Sequence, residues 1–292
     1  MNGVININKP TGISSFKCVD VIKKLTHIKK VGHTGTLDPE ASGVLPICIG
    51  RATKIIDFIM TNTKEYEVEF KLGIVTDTYD MEGTILRTVD PSHVSEQMIL
   101  GSINKFVGEI AQVPPMYSAL KHNGVRLYEL ARQGIEVERK ERKITIYSIS
   151  DISIDFPVVR MKVLCSKGTY IRSLCYDIGE DLGVGATMIS LKRTANGIFN
   201  IVNSVELNHL SSENIGDYII PMDEALNCFK KLVVDSYFEK LLINGVRIMD
   251  KRLTSEELIE GTYYRVYNKD SIFIGVGLYK DKSFKIDKLL LE

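Results

Sequence analysis

From Glu65 to Leu72 the chain alternates without a break: Tyr66, Val68, Phe70 and Leu72 interleave with Glu65, Glu67, Glu69 and Lys71. Successive side chains of a strand point to opposite faces, so this period of two makes a strand with one buried and one solvated face. Such strands belong to antiparallel sheets covered on one side, whereas parallel sheets carry continuous apolar runs. Segments 4–9, 44–49, 144–154 and 158–165 read as further strands. A helix is predicted from Ser14, with Phe16, Val19, Ile22 and Leu25 on its apolar face. Others are predicted at 52–60, from Asp90-Pro91-Ser92 to about Phe106, and just after Thr169, where Ile171, Leu174, Cys175, Ile178 and Leu182 recur at helical spacing. The stretch 112–143 is looser and reads as an excursion from the core, broken by Pro114-Pro115, Asn123-Gly124 and Gln133-Gly134. The main domain is expected to finish around Pro221. The tail carries a capping box, Thr254 with Glu257, and strand signals at 263–267 and 272–279.

With 292 residues the chain can build one large core and a small second domain. No apolar run approaches the roughly 20 residues of a membrane helix, and the first ten residues lack a basic leader and a long apolar stretch. Cys18, Cys48, Cys165, Cys175 and Cys228 are scattered and form no Cys-x-x-Cys pair. The expectation is a cytoplasmic, metal-free protein with reduced thiols. Formal net charge is zero, which argues against a polyanionic partner, but local patches set that affinity. Lys9, Lys17, Lys23, Lys24, Lys29 and Lys30 form one basic run, and Lys121, Arg126, Arg132, Arg139, Lys140, Arg142 and Lys143 a second.

The chemistry concentrates in 32–43, Gly-His-Thr-Gly-Thr-Leu-Asp-Pro-Glu-Ala-Ser-Gly. Asp38 is the segment's one aspartate, set among hydroxyls, and Pro39 biases it away from helical geometry. The structural alternative is Asp38 as a helix N-cap with Pro39 at the first position, although Gly43 and Pro46 would end that helix within about two turns. Tyr66 opens the alternating strand on its apolar face, where a plain core tyrosine is the commoner outcome. In Ser166-Lys167-Gly168-Thr169-Tyr170-Ile171-Arg172 a strand turns into a helix, whose N-terminus favours anions. Here the alternative is an incidental surface arginine. There is no phosphate loop, nucleophile elbow or His-Glu-x-x-His site.

Together these residues resemble the TruB family of tRNA pseudouridine synthases. The matching motifs are Asn8-Lys9-Pro10-x-Gly12, Gly32 to Pro39, Lys64-Glu65-Tyr66, Pro114 to Lys121, Gly124-x-Arg126-x-Tyr128-x-Leu130-Ala131-Arg132, Gly168 to Arg172 and Leu191-Lys192-Arg193-Thr194. The resemblance implies an α+β pseudouridine synthase fold: a mixed, largely antiparallel central sheet flanked by helices and loops, plus a small C-terminal β-rich PUA-like domain. It implies a catalytic domain at 1–228, with 112–143 as a thumb-like RNA-binding insertion, and a short PUA-like domain at 229–292. It implies a tRNA pseudouridine-55 synthase that isomerises a flipped-out uridine of the T loop.

By position, Asp38 would be the nucleophile or base, with Arg172 as its partner, since a neighbouring guanidinium favours the ionised carboxylate. Tyr66 would stack on the base and take the C5 proton. Tyr170 would be a second pocket tyrosine, His33 would hold the rearranged loop, and Leu191 would line the pocket. Lys9, Lys121, Arg126 and Arg132 would bind substrate. No cofactor, metal, membrane or obligatory protein partner is expected, and the enzyme would act as a monomer on the T arm of tRNA. Lys192 departs from the arginine of many members, which loses bidentate geometry. The competing readings are a non-catalytic RNA-binding or tRNA-folding protein of the same fold, and a guide-RNA-dependent rRNA enzyme of the dyskerin type.

Overall fold

The computed structural model describes residues 1–61 and 63–291. Its main feature is a ten-stranded mixed sheet. Across it run Val205–Glu206, Gly3–Lys9, Ser42–Ile49, Ala186–Asn196, Lys64–Leu72, Val158–Cys165, Arg142–Asp155 and Gly108–Gln112. Val31–His33 pairs with Ser42–Ile49, and Phe199–Asn200 with Ala186–Asn196. Neighbours are antiparallel except at two joints, Gly3–Lys9 with Val205–Glu206 and Ser42–Ile49 with Ala186–Asn196. The alternating strand Lys64–Leu72 is central, and its apolar set is the buried one.

The strands near the N-terminus bury both faces. Ile5, Ile7, Leu45 and Ile47 join the helices Ser15–Thr26, Glu96–Lys105 and Ile171–Asp181 in the largest apolar cluster. Val4, Val44 and Cys48 face the other way, onto Ala52, Ile55, Phe58, Met222 and the C-terminal residues Val276 and Leu290. The tail forms its own sheet, Lys230–Val233, Thr262–Tyr267, Phe273–Lys280 and Ser283–Leu289, with a separate core around Leu232, Phe238, Ile274 and Phe284. It docks on the main body by Arg265, which donates to the Asp223 carbonyl, and by the Tyr267 hydroxyl, which donates to the Asp223 carboxylate. Among the described residues no helix is long and apolar enough to cross a membrane.

Four local expectations change. Segment 52–60 splits into a 3-10 turn, Gly50–Ile55, and a short helix, Ile56–Met60. The helix expected from Asp90 begins at Glu96, because Ser95 caps it by accepting from the Met98 N–H. Thr254 accepts from the Glu256 N–H in a local turn, and no capping box forms with Glu257. The first helix buries Ser15, Cys18, Val19 and Ile22, a spacing of three and four that leaves Phe16 outside, 60% exposed.

Candidate active site

Asp38 sits on irregular backbone, and both of its neighbours are tied to the interior. On one side the Ser15 hydroxyl donates to the Leu37 carbonyl (2.9 Å) and accepts from the Leu37 N–H (2.8 Å). On the other the Pro39 carbonyl accepts from the Lys9 ammonium (2.9 Å) and from the Gly12 N–H (3.0 Å). The Asp38 carbonyl itself accepts from the Ala41 N–H (3.1 Å), so Pro39 opens a turn and no helix follows. The loop rejoins the sheet at Gly43, whose φ is +102° and whose missing Cβ would lie 2.2 Å from the Arg193 carbonyl oxygen. Only glycine fits there.

Lys9 therefore does a different job from the substrate contact expected of it. Its side chain is inside the protein, 0% exposed, and donates also to the carbonyls of Pro10 (2.7 Å) and Ile13 (2.6 Å). It cannot touch RNA directly; it fixes the backbone next to Asp38. Lys9→Met is expected to leave these carbonyls short of a donor, at about 1–3 kcal/mol for each one unsatisfied. The thermal midpoint should fall by several degrees while RNA affinity stays within several-fold of wild type. An unchanged midpoint with a collapse in affinity would restore the substrate-binding role.

Arg172, on the first turn of Ile171–Asp181, is only 7% exposed in its side chain. Its Nε lies 3.1 Å from an oxygen of Asp38, and its Nη1 lies 3.2 Å from an oxygen of Asp80. Nη1 also donates to the Thr78 carbonyl (3.0 Å) and Nη2 to the Tyr117 carbonyl (2.7 Å). The incidental surface arginine is excluded. One planar cation joins the Asp38 loop, the segment after Gly73 and the 112–143 excursion. The Asp38 side chain keeps 42% of its surface open, so the carboxylate is held yet reachable.

Around it lies a cleft of about 1660 Å³, larger than the ~300–1,000 Å³ of ordinary small-molecule sites. Asp38, Tyr66, Arg172, His33, Tyr170 and Leu191 line it, and so do Lys121, Arg126 and Arg132. Apart from Lys9, every residue singled out for the site meets in this one space. Tyr66 is deeply buried. Burial pushes its phenol up, and the Arg193 guanidinium, which reaches the hydroxyl, pulls against that shift. Burial likewise pulls His33 down, with Arg193 adding to it, and brings Lys64 down to about 8. The His33 Nδ1 accepts from the Gly35 N–H (3.3 Å). The Tyr128 ring carries the guanidinium groups of Arg126 and Arg132 at 5.9 and 5.5 Å.

Two contributors escape a reading from sequence. Asp80 lies in a polar hairpin, in Asp77-Thr78-Tyr79-Asp80, where nothing local marks it as the partner of a buried arginine. Arg193 is 1% exposed and donates to the carbonyls of Val44 (2.7 Å) and Gly35 (3.1 Å). It appeared only as a motif residue, because nothing local shows that strand Ala186–Asn196 runs beside Lys64–Leu72 with Arg193 opposite Tyr66.

A chain of a solved Cbf5–Nop10–Gar1 complex superposes with a TM-score of 0.74 over 99% of this chain and 84% of its own length, at 27% identity. The fold is that of the pseudouridine synthases. Residues 23–171 match the N-terminal domain of the TruB family pseudouridylate synthases, and 172–227 match the C-terminal domain of tRNA pseudouridylate synthase B. The tRNA pseudouridine synthase B of Clostridium perfringens (strain SM101 / Type A) is 58% identical over 293 residues, and that of Clostridium tetani (strain Massachusetts / E88) 55% over 291, each covering 100% of both chains. The chain belongs to the TruB family.

Proposed function

We propose that this protein is a tRNA pseudouridine-55 synthase that acts alone, as a cytoplasmic monomer, on the T arm. The observation that carries this reading is a carboxylate pinned by Arg172 yet open to a cleft of nucleotide dimensions. The uridine must leave its stack to enter, at a few kcal/mol. The cationic residues Lys121, Arg126 and Arg132, with the C-terminal domain at 229–292 and its sheet as a further RNA-binding surface, offset that cost. Thus 1–228 is the catalytic unit and 112–143 its grip on the RNA.

In the reaction the N1–C1′ bond breaks and its electron pair leaves with the uracil. Asp38 either bonds to C1′, in an ester that breaks when C5 attacks, or takes the C2′ proton and returns it when C5 adds; both require the ionised carboxylate that Arg172 orients. The uracil turns beneath the Tyr66 ring, C5 bonds to C1′, and the C5 proton is removed while N1 gains one. In this reading Tyr66 takes that proton as its phenolate, the form that the Arg193 guanidinium favours against burial, with Tyr170 and Leu191 bounding the base and His33 steadying the loop. Atoms and electrons balance within the nucleoside, so the reaction calls for no redox partner or external nucleophile.

The test is an unmodified tRNA transcript incubated with the protein alone and mapped by mass. One pseudouridine in the T loop is expected; none, or a requirement for a guide RNA, refutes the reading. The non-catalytic alternative draws no support from the site, because Asp38, Tyr66 and Arg172 are all in place. Affinity should also drop at least about tenfold between about 50 and 200 mM salt, as counterion release demands. A flat salt profile would remove the cationic cleft residues as the docking surface.

A further inference from the structure

Phe16 is out of place for a core residue and well placed for another task. It follows the Ser14 cap at the start of Ser15–Thr26, and the residue is 60% exposed. The helix buries its other face, so nothing in the fold requires an aromatic side chain there. Lone exposed apolar residues are ordinary on protein surfaces, but this one lines the same cleft as Asp38, Tyr66 and Arg172. The ammonium of Lys23, two turns along the helix, stands 5.2 Å from the ring centre. Asp20 is 3.8 Å from that ammonium; Lys17 and Lys24 keep the exposed surface of the helix net basic.

A π-face flanked by a cation at the edge of an RNA-sized cleft matches the chemistry of single-stranded nucleic-acid binding, where bases stack on aromatic rings and cations track phosphates. The Tyr128 ring with Arg126 and Arg132 is a similar unit, supplied by the 112–143 excursion. We propose that Phe16 and Lys23 form a stacking platform that receives an unpaired nucleobase of the RNA beside the flipped uridine, with Lys23 on the adjoining phosphate. This rests on the tRNA reading above and deepens it. The platform contributes to docking and not to the bond-breaking step, since Phe16 is on the rim.

The experiment measures binding of a labelled, unmodified tRNA transcript by fluorescence anisotropy, with single-turnover conversion at saturating enzyme alongside. Phe16→Ala should weaken binding about five- to 150-fold, the range expected for one base–aromatic stack, and lower the saturating rate far less. Phe16→Tyr should stay within about threefold of wild type. Phe16→Leu, of similar bulk and apolarity but without a π-face, should resemble alanine. Lys23→Gln should flatten the salt dependence. Because the ring is exposed, the thermal midpoint of each variant should remain near wild type, which separates a binding defect from a folding one. Phe16→Ala binding within twofold of wild type, or Phe16→Leu binding as well as wild type, would overturn the platform while wild-type conversion upholds the enzyme reading. A wild-type protein that makes no pseudouridine would bring down both.

Discussion

Asp38→Asn is expected to abolish pseudouridine formation, by at least about a thousandfold in single-turnover rate, while tRNA binding stays within several-fold of wild type. An amide neither attacks C1′ nor accepts the C2′ proton, so the loss falls on the chemical step. The substitution preserves volume, and the loop does not depend on the carboxylate for its shape. Ser15, Lys9 and Gly12 hold the backbone at Leu37 and Pro39. Arg172 would keep Asp80 and the carbonyls of Thr78 and Tyr117. Single-turnover mapping of pseudouridine beside an equilibrium binding titration separates the two effects. A variant that still converted uridine would strip Asp38 of its role. One that lost binding in proportion to rate would make the residue a docking contact.

How much of this was legible in sequence differs by element. The strand Lys64–Leu72 could be read outright, since period-two alternation over the eight residues from Glu65 to Leu72 leaves no other way to hide Tyr66, Val68, Phe70 and Leu72. The Asp38 loop stood out because its signals are local: glycines, a proline and one aspartate. Phe16 misled, since three-residue steps fit one edge of the helix while the buried stripe of Ser15, Cys18, Val19 and Ile22 lies beside it. A serine and a cysteine at core positions are hard to recognise by hydrophobicity. Lys9 misled for a related reason: a basic residue reads as surface until three carbonyls are seen to enclose it. Asp80 and Arg193 were out of reach because their meaning is relational. One matters through a guanidinium 92 positions away in sequence, the other through cross-strand pairing with Tyr66.

Arg172→Lys should disable the site while preserving its charge, lowering the single-turnover rate by about a hundred- to a thousandfold. The guanidinium serves acceptors in three directions: Asp38 through Nε, Asp80 and Thr78 through Nη1, Tyr117 through Nη2. An ammonium offers three donors from a single point on a flexible stem and cannot span that fork. Pairing it with Asp80 frees Asp38 to swing; pairing it with Asp38 leaves Asp80 and two carbonyls wanting. Arg172→Ala goes further, because breaking the largely buried pair with Asp80 costs up to roughly 3–5 kcal/mol and also leaves the more open Asp38 without its cation. Its thermal midpoint should fall by about 10 °C, given ~2–4 °C per kcal/mol for large domains. Adding Asp80→Asn to Arg172→Ala relieves the uncompensated charge, so the double variant should recover part of that midpoint but none of the rate. Thermal unfolding with a double-mutant cycle measures the coupling directly. Arg172→Lys at a rate within threefold of wild type would show that Asp38 needs only a nearby positive charge, and the planar fork would lose its part in catalysis.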